Sequence, residues 1–436
     1  MTVIVVGGGW SGLAAAVELS RRGTAVTLLE AAGHLGGRAA RIRYRGRDYD
    51  SGQHLLIGAY RGILELLAVM GVDEDTVFER RPFELISRSS HGTPPLRLRL
   101  AGLPAPFHLL GGLLTATGLS RTDRWRALRF CLAAARSRVL TADYSVQELL
   151  FRHDQSPELV ARLWEPVCLA ALNTPLHEAS AEIFLRVLRD SFARNRRDSD
   201  LLLPRLGLGA VLPEPAQRYI TAHGGDIRLG CRAAGLEIGR GRIDAVVLAD
   251  GTRLHADHVV LALPPPACRR LLEGCAPLRE LAESLSQFEF SPICTLYLHY
   301  PPHIRLDYPM VGLHGTLAHW VFDLASAGEP GLMAAVISGP GPHQALERNT
   351  LQAQVIAELA TCFPHWPAPA EVAVLCEKRA TFLCRSGITA RRPAVETPVA
   401  GCWLAGDAVA TGYPATLEGA VRSGLECARR IREARD

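Results

Sequence analysis

The sequence contains almost no lysine: Lys378 is the only one, and all other basic residues are arginines. A catalytic lysine is therefore excluded at every position except Lys378. A large excess of charge of one sign is missing too, because 48 basic and 44 acidic residues leave a formal net charge of +4. A small net charge without long runs of like charge gives no reason to expect nucleic acid as a partner.

Paired cysteines and metal-binding patterns are absent as well. The eleven cysteines occur singly between Cys131 and Cys427, with no CxxC pair and no histidine at ligand spacing. We therefore expect no metal site and thiols kept reduced in a cytoplasmic protein. The N-terminus has no basic and apolar leader, which favours the same location.

A long uninterrupted apolar run is missing too. The most membrane-like stretch, Ala101 to Ser120, is broken by prolines and glycines and is a poor spanning helix. The arginine-rich segment after it is typical of a helix lying in a bilayer interface, giving peripheral membrane contact, or of a core helix with a solvated face. Both interpretations remain open from the sequence. The arginines of this segment are Arg121, Arg124, Arg126, Arg129, Arg136 and Arg138.

Glycine is abundant at the start of the chain, where it marks a nucleotide site. The apolar strand Val3 to Val6 runs into a glycine-rich turn, an alanine-rich helix and a second strand that ends at Glu30. This is the pattern of a dinucleotide-binding βαβ unit. A carboxylate at Glu30 binds ribose and repels a 2′-phosphate, so the cofactor is predicted to be FAD or NAD and not NADP. The turn residues predicted to bind it are Gly7, Gly9, Trp10, Ser11 and Gly12.

Two further clusters favour FAD over NAD. Gly36, Gly37 and Arg38 offer backbone amides and a guanidinium after the second strand. Near the other end of the chain an acid follows a short apolar strand, and a helix begins soon after it. An acid there can hold a polyol such as ribitol, and the helix can direct its N-terminal amides at the pyrimidine end of a flavin ring. The predicted residues of this cluster are Gly406, Asp407, Thr416 and Leu417.

The pattern between these clusters predicts an interrupted domain. Residues 61 to about 200 read as a mostly helical insertion. The alternating segments from Arg232 to Leu248 then predict a β-meander, and Val259 to Leu263 predicts a buried strand returning to the first sheet. Short strand candidates between Ser291 and Arg385 predict another sheet, walling a substrate site.

These motifs, together with Asp50-Ser51-Gly52, resemble those of the flavin amine oxidase and phytoene desaturase superfamily over nearly the whole chain. Three longer segments resemble its squalene-associated branch, the hydroxysqualene dehydroxylases of hopanoid biosynthesis. They are Trp164 to Cys168, Ala170 to Pro175 and Gly412 to Ala420.

The resemblance implies an α/β fold, α+β overall, with a glutathione-reductase-like Rossmann domain that binds FAD. That domain is expected to comprise residues 1–80, 201–290 and 386–436. A substrate-binding domain of antiparallel sheet and helical insertion is expected to comprise 81–200 and 291–385.

The resemblance also implies a reaction, in which reduced FAD and hydroxysqualene give squalene, water and FAD. Hydroxide is a poor leaving group, so a general acid is expected. Glu165, His177 and Tyr413 are the candidates, though a lone acid or histidine more often has a structural role. An oxidative phytoene-type desaturase is the alternative, an amine oxidase is a more distant one, and a non-catalytic flavin-binding escort a third. The electron donor that reduces FAD is not identified by any motif.

Overall fold

The computed structural model describes residues 1–90, 93–136 and 140–434. Its strands and helices follow the chain in a mixed order. The strands are β1 Thr2–Val6, β2 Ala25–Leu29, β3 Arg41–Tyr44, β4 Arg47–Asp50, β5 Leu56–Ile57, β6 Phe78–Arg81, β7 Glu84–Ser89, β8 Leu96–Arg99, β9 Leu201–Pro204, β10 Asp226–Arg228, β11 Ala233–Gly239, β12 Arg242–Leu248, β13 Arg253–His255, β14 His258–Leu261, β15 Phe290–His299, β16 Met310–His314, β17 Trp320–Asp323, β18 Leu332–Ser338, β19 Glu371–Phe382 and β20 Cys402–Leu404.

The α-helices are α1 Trp10–Arg21, α2 Arg61–Val69, α3 Glu74–Val77, α4 Phe107–Thr115, α5 Arg121–Arg136, α6 Val146–Arg152, α7 Pro157–Leu159, α8 Glu165–Leu172, α9 Ala181–Phe192, α10 Leu208–Val211, α11 Pro213–Ala222, α12 Pro265–Leu272, α13 Arg279–Ser286, α14 Arg348–Cys362 and α15 Leu417–Glu433. A single π-helical turn, Val160–Trp164, joins α7 to α8.

A parallel sheet in the order β10-β2-β1-β14-β20 unites the two ends of the chain. Its central strands are buried on both faces, which explains their continuous apolar sequences. The first and last long helices pack closely, since a Cβ on Gly424 of α15 would lie only 2.1 Å from the Ser11 carbonyl oxygen of α1. The predicted return of the chain to its first sheet is therefore confirmed, and β11-β12-β13 is the predicted meander.

The second large sheet has the order β19-β15-β18-β17-β16-β7-β8. The prediction that residues 61 to 200 are mostly helical is wrong for residues 78–99, because β6, β7 and β8 lie there. In β8 the side chains of Leu96 and Leu98 are buried, while Arg97 and Arg99 are exposed. This alternation is the pattern of a strand. The helical insertion is thus confined to α4 through α9, and the exact domain boundaries remain predictions.

Two cysteines form a disulfide, contrary to the expectation of free thiols. Cys294 of β15 and Cys376 of β19 are direct cross-strand partners, and their sulfur atoms are bonded. Spacing could not reveal this pair, because 82 positions separate the two residues and only the strand register brings them together. The other cysteines are free thiols. Among the described residues no cluster of side chains suited to a metal ion occurs.

No helix in the described ranges combines the length and the apolar character needed to cross a bilayer. The stretch Ala101 to Ser120 forms only α4 and its flanking loops. The arginine-rich segment after it is helical, as α5. Of its predicted arginines, Arg138 and the side chain of Arg136 lie outside the described part of the structure.

Candidate active site

The glycines of the turn after β1 have two different roles: two of them allow close packing, and one leaves open space. A Cβ on Gly7 would lie 2.4 Å from the Ala262 carbonyl oxygen, and one on Gly12 would lie 1.9 Å from the Gly7 carbonyl oxygen. These two glycines therefore permit the turn and the close packing of α1. A Cβ on Gly9 would meet no atom within 4 Å, because this glycine faces open space. Gly9 caps α1 without a side-chain hydrogen bond, which leaves first-turn amides for a phosphate.

Glu30 follows β2 and is held at the same edge of the sheet. Its carboxylate accepts hydrogen bonds from the backbone amides of Gly8 and Ala32, both at 2.7 Å. These two bonds orient the carboxylate at the cavity wall, where ribose hydroxyls could donate to it.

The next two clusters meet through an ion pair. Arg38 donates to the Asp407 carboxylate at 2.6 Å and to the Ala380 carbonyl at 2.8 Å. The Gly36 amide also donates to the Gly8 carbonyl at 2.9 Å. The first fifty residues and the last forty therefore build one site, with a guanidinium and a carboxylate fixed against each other.

The helix after this acid begins at the same cavity. Thr416 caps α15, since its side chain accepts a hydrogen bond from the Gly419 amide at 3.1 Å. Thr416 and Leu417 both line the cavity. The positive end of the helix dipole is thus directed at the cavity, where it favours negative charge.

These residues surround a cavity that encloses about 1,880 Å³, including its mouth. The carboxyl ends of β1, β2, β14 and β20 all contribute to it, as expected for a nucleotide site on a parallel sheet. The second large sheet supplies a mostly apolar wall. Of the predicted cofactor residues every one lines the cavity except Gly12, which packs beneath it. The wall residues of that sheet are Ile293, Met310, Trp320, Phe322, Val336, Ser338, Glu377, Ala380 and Thr381.

This arrangement fits FAD. The bare glycine amides and Glu30 suit a pyrophosphate and a ribose, and the mostly apolar side chains of the second sheet suit a ring system. The room in front of Gly9, where a side chain would meet nothing, is the space that such a pyrophosphate needs.

The three predicted catalytic residues are not brought together on this cavity. The Tyr413 hydroxyl donates to Asp190 at 2.7 Å, and the Arg422 guanidinium lies 4.3 Å from its ring centroid. Burial and Asp190 raise the pKa of the Tyr413 hydroxyl. The His177 side chain is 66% exposed and lies 3.5 Å from the Glu178 carboxylate. Neither residue is among those that line the cavity, so their catalytic roles remain predictions.

Glu165 does not line the cavity either, but it lies one helical turn before a residue of α8 that does. It precedes Leu169 by four residues, so the two share a helix face, and Leu169 lines the cavity. Partial burial raises the pKa of the Glu165 carboxyl, although more than a third of the residue is exposed. The proton is therefore retained to higher pH than on an ordinary glutamate, which suits a general acid.

The segment Ala170 to Pro175 attaches α8 to the second sheet. Asn173 ends α8 in the left-handed conformation with a φ of 48°. Its amide oxygen accepts from the Gly339 amide at 2.6 Å, and its amide nitrogen donates to the Thr381 hydroxyl at 2.9 Å. The sequence marks this segment only through its resemblance to the squalene-associated branch. In the fold the segment fixes α8 against the cavity.

Arg392 is a site residue that sequence reasoning missed. It is 6% exposed, and its guanidinium donates to four backbone carbonyls and one hydroxyl of the segment that carries Asp407. No motif marks an arginine that acts on backbone carbonyls fifteen or more residues away. The bonded groups are the carbonyls of Asp407, Ala408, Val409 and Tyr413 and the Thr411 hydroxyl.

A second cavity, with about 730 Å³ of empty space including its mouth, lies mainly within the helical insertion. Residues from α4, α5, α8 and α9 line it, and nearly all of them are apolar. The helix α8 therefore contributes Val167 to this apolar cavity and Leu169 to the cavity of about 1,880 Å³ described above, which we call the flavin cavity. Such walls suit a hydrocarbon chain.

This chain is similar to known proteins over nearly its whole length. A hydroxysqualene dehydroxylase from Rhodopseudomonas palustris is 30% identical, with 98% of this chain and 97% of that protein covered. A chloroplastic/chromoplastic zeta-carotene desaturase from Zea mays is 24% identical, with 97% and 82% covered. An oxidoreductase from Methanosarcina mazei shares the fold at a TM-score of 0.77 and 18% identity, over 99% of this chain and 100% of that chain.

The family model for flavin containing amine oxidoreductases matches residues 10–432, which is nearly the whole chain. The match begins within the glycine-rich turn and spans the rest of the nucleotide cavity and the sheet that faces it. This chain is therefore an FAD-dependent oxidoreductase and belongs to the family of flavin containing amine oxidoreductases.

Proposed function

We propose that this chain is a hydroxysqualene dehydroxylase, which converts hydroxysqualene and reduced FAD to squalene, water and FAD. The observation that carries the proposal is the 30% identity to a protein of that name over 98% of this chain. The apolar cavity beside the flavin cavity supports it, because a long isoprenoid needs such walls.

The proposed reaction needs a hydride at carbon and a proton at oxygen. Reduced FAD supplies the hydride when bound. The carbon that carries the hydroxyl is allylic, so positive charge developing there as the C–O bond breaks is delocalised. The hydroxyl group leaves as water once it takes up a proton, and the new C–H bond completes squalene. The protein contributes the acid, a dry apolar surface and a fixed position for the cofactor.

Burial of the isoprenoid supplies most of the binding energy in this proposal. Each methylene removed from water contributes about 0.8 kcal/mol. Few polar contacts are therefore needed, which agrees with the nearly complete absence of polar side chains around the apolar cavity in the described helices.

The alternative function is oxidative desaturation of a carotenoid, supported by the 24% identity to a zeta-carotene desaturase. It would use the same cofactor and an apolar site, with hydride flowing in the other direction. Amine oxidation has less support, because the single lysine, Lys378, is exposed on β19 and is not among the residues lining the flavin cavity.

Product analysis tests the proposal directly. The holoprotein is photoreduced under anaerobic conditions and mixed with hydroxysqualene, and squalene and flavin reoxidation are measured together. We expect one squalene for each flavin reoxidised. A conjugated product from phytoene or zeta-carotene with oxidised protein would favour the desaturase. Reduced flavin that no substrate reoxidises would indicate a non-catalytic flavin protein.

We propose Glu165 as the general acid. Glu165→Gln should lower turnover by about 100-fold, since the amide cannot give a proton to the leaving hydroxyl. Because the pKa of this carboxyl is raised by burial, activity of the wild type should fall as the pH rises through that pKa. The FAD content should be unchanged, as measured from the visible spectrum. Glu182→Gln, an exposed glutamate on α9, is the matched control. A wild-type rate in Glu165→Gln would show that Glu165 is not the general acid.

We further propose peripheral contact with an anionic membrane, at the cytoplasmic face, because substrate and product both dissolve in the bilayer. The segment around α4 and α5 exposes large apolar side chains beside several arginines. Guanidinium groups can bind lipid phosphates while the apolar groups enter the acyl boundary. The exposed apolar residues are Leu103, Phe107, Leu114 and Trp125, which are 47%, 59%, 45% and 59% exposed.

Liposome flotation tests this contact. The wild type should float with anionic vesicles and much less with neutral ones. The double substitution Phe107→Ser and Trp125→Ser should reduce the floated fraction several-fold, since two anchors are lost. Leu229→Ser is the control, because Leu229 is 41% exposed but follows β10 in the parallel sheet. Equal flotation of all variants, or no flotation of the wild type, would contradict the proposal.

A further inference from the structure

The proposed substrate carries a single polar group, the hydroxyl that leaves as water. Since hydride has to reach the carbon that carries it, this hydroxyl lies in the flavin cavity while the hydrocarbon chain occupies apolar space. The second large sheet gives the flavin cavity a mostly apolar wall, in which four of the described side chains carry polar atoms. They are Trp320, Ser338, Glu377 and Thr381.

Three of these four side chains are poorly suited to bind an alcohol oxygen. The indole nitrogen of Trp320 is buried, with almost no surface that a ligand could contact. The Glu377 carboxylate accepts a hydrogen bond from the Arg379 amide at 2.8 Å, and a carboxylate has no hydrogen to donate. Ser338 is only 7% exposed. Thr381, near the end of β19, is half-buried and lines the cavity.

Asn173 fixes the orientation of the Thr381 hydroxyl. The backbone amide of Gly339 can only donate, and it lies 2.6 Å from Oδ1 of Asn173, so the amide oxygen of this side chain faces Gly339. The nitrogen Nδ2 therefore faces Thr381 and donates to its Oγ1 at 2.9 Å. The same nitrogen donates to the Pro292 carbonyl of β15 at 3.3 Å. The amide of Asn173 is thus held by β15, β19 and the residue after β18.

The Thr381 hydroxyl retains a hydrogen that it can donate to a ligand. Its oxygen accepts from Asn173, and none of the described residues accepts its hydrogen. A bound alcohol oxygen in the cavity can take this hydrogen bond. A carotene, which is a hydrocarbon, would cover the hydroxyl without giving it an acceptor, and that carries a cost in free energy. This part of the wall therefore suits an alcohol better than a hydrocarbon.

We propose that Thr381 binds the hydroxyl oxygen of the substrate and that Asn173 positions Thr381 for this contact. This inference rests on the proposed function and adds to it the group that recognises an alcohol. Two hydrogen bonds follow each other, from Nδ2 of Asn173 to Thr381 and from Thr381 to the substrate oxygen, and the first strengthens the second. The hydrocarbon chain extends along α8, which contributes Leu169 to the flavin cavity and Val167 to the apolar cavity.

Binding without turnover tests this assignment. The oxidised holoprotein, which has no hydride to give, is titrated in detergent micelles with hydroxysqualene and with squalene, and the visible flavin spectrum reports binding. Thr381→Val keeps the branched shape but cannot donate, so the preference for hydroxysqualene over squalene should fall by about tenfold, with the squalene affinity unchanged. Thr381→Ser should keep most of the preference. Asn173→Asp should lose it, because a carboxylate accepts the Thr381 hydrogen itself.

Thr295→Val is the matched control, because Thr295 is a buried threonine of β15 that does not line the cavity. Denaturant unfolding and FAD content are measured for every variant. No preference in the wild type, or an unchanged preference in Thr381→Val, would overturn the assignment. Loss of FAD from Thr381→Val would also overturn it, since the hydroxyl would then serve the cofactor. A wild type that makes no squalene would overturn the proposed function, whereas the ratio of the two affinities would still show whether Thr381 recognises an alcohol.

Discussion

Gly9→Val should give a folded protein that has lost its yellow colour. The backbone of Gly9 has a φ of −73° and a ψ of 176°, which valine adopts without strain, and the added side chain meets no protein atom within 4 Å of its Cβ position. The stability of the apoprotein should therefore change by no more than about 1 kcal/mol. The branched side chain instead fills the space in front of the α1 amides, where the pyrophosphate of FAD has to lie.

The affinity for FAD should fall by about tenfold to a hundredfold. This loss corresponds to about 1–3 kcal/mol, the usual cost of adding a side chain where another group has to fit. Flavin titration followed by fluorescence measures this loss, and circular dichroism checks the fold. Two other glycines serve as controls. Gly33→Ala points into open space away from the cavity and should bind FAD normally. In Gly12→Ala the added Cβ would lie 1.9 Å from the Gly7 carbonyl oxygen, so this variant should destabilise the apoprotein itself. Tight FAD binding by Gly9→Val would contradict the site described above.

Arg392→Gln should lower both the stability of the protein and its affinity for FAD. The guanidinium of Arg392 is the donor for four backbone carbonyls and a hydroxyl within residues 407–413. A glutamine can serve only some of these acceptors, and each buried acceptor left without a donor costs about 1–3 kcal/mol. We expect the free energy of unfolding to fall by about 3 kcal/mol or more, and FAD to dissociate faster because Asp407 is no longer fixed.

Denaturant unfolding of the apoprotein and dissociation of FAD from the holoprotein measure the two effects separately. Arg392→Lys keeps the charge but loses the planar fork, so it should recover only part of the loss. Arg391→Gln is the matched control, because this neighbouring arginine is exposed. If Arg392→Gln matches Arg391→Gln in both measurements, the carbonyls of residues 407–413 do not depend on this side chain.

Residues adjacent in sequence were the easiest to interpret. The glycine turn, Glu30 and the cluster from Gly36 to Arg38 belong to local motifs, so their chemistry could be predicted before any fold was known. Asp407 and Thr416 could be predicted for the same reason, since a strand end and a helix start surround them. In contrast, β7 and β8 were not predicted. Only the four-residue β8 alternates between buried and exposed side chains, whereas β7 is buried at nearly every position, so neither short segment stands out from the helical pattern around it.

The sequence by itself determined the parallel sheet and the flavin cofactor, because each depends on short segments whose spacing along the chain carries the chemistry. Only the tertiary structure decided which distant groups meet: Cys294 with Cys376, Arg392 with the carbonyls after Asp407, and Asn173 with Thr381. These contacts depend on strand register and on the packing of segments far apart in the chain. No local pattern encodes such contacts, since the same residues in another register would face elsewhere.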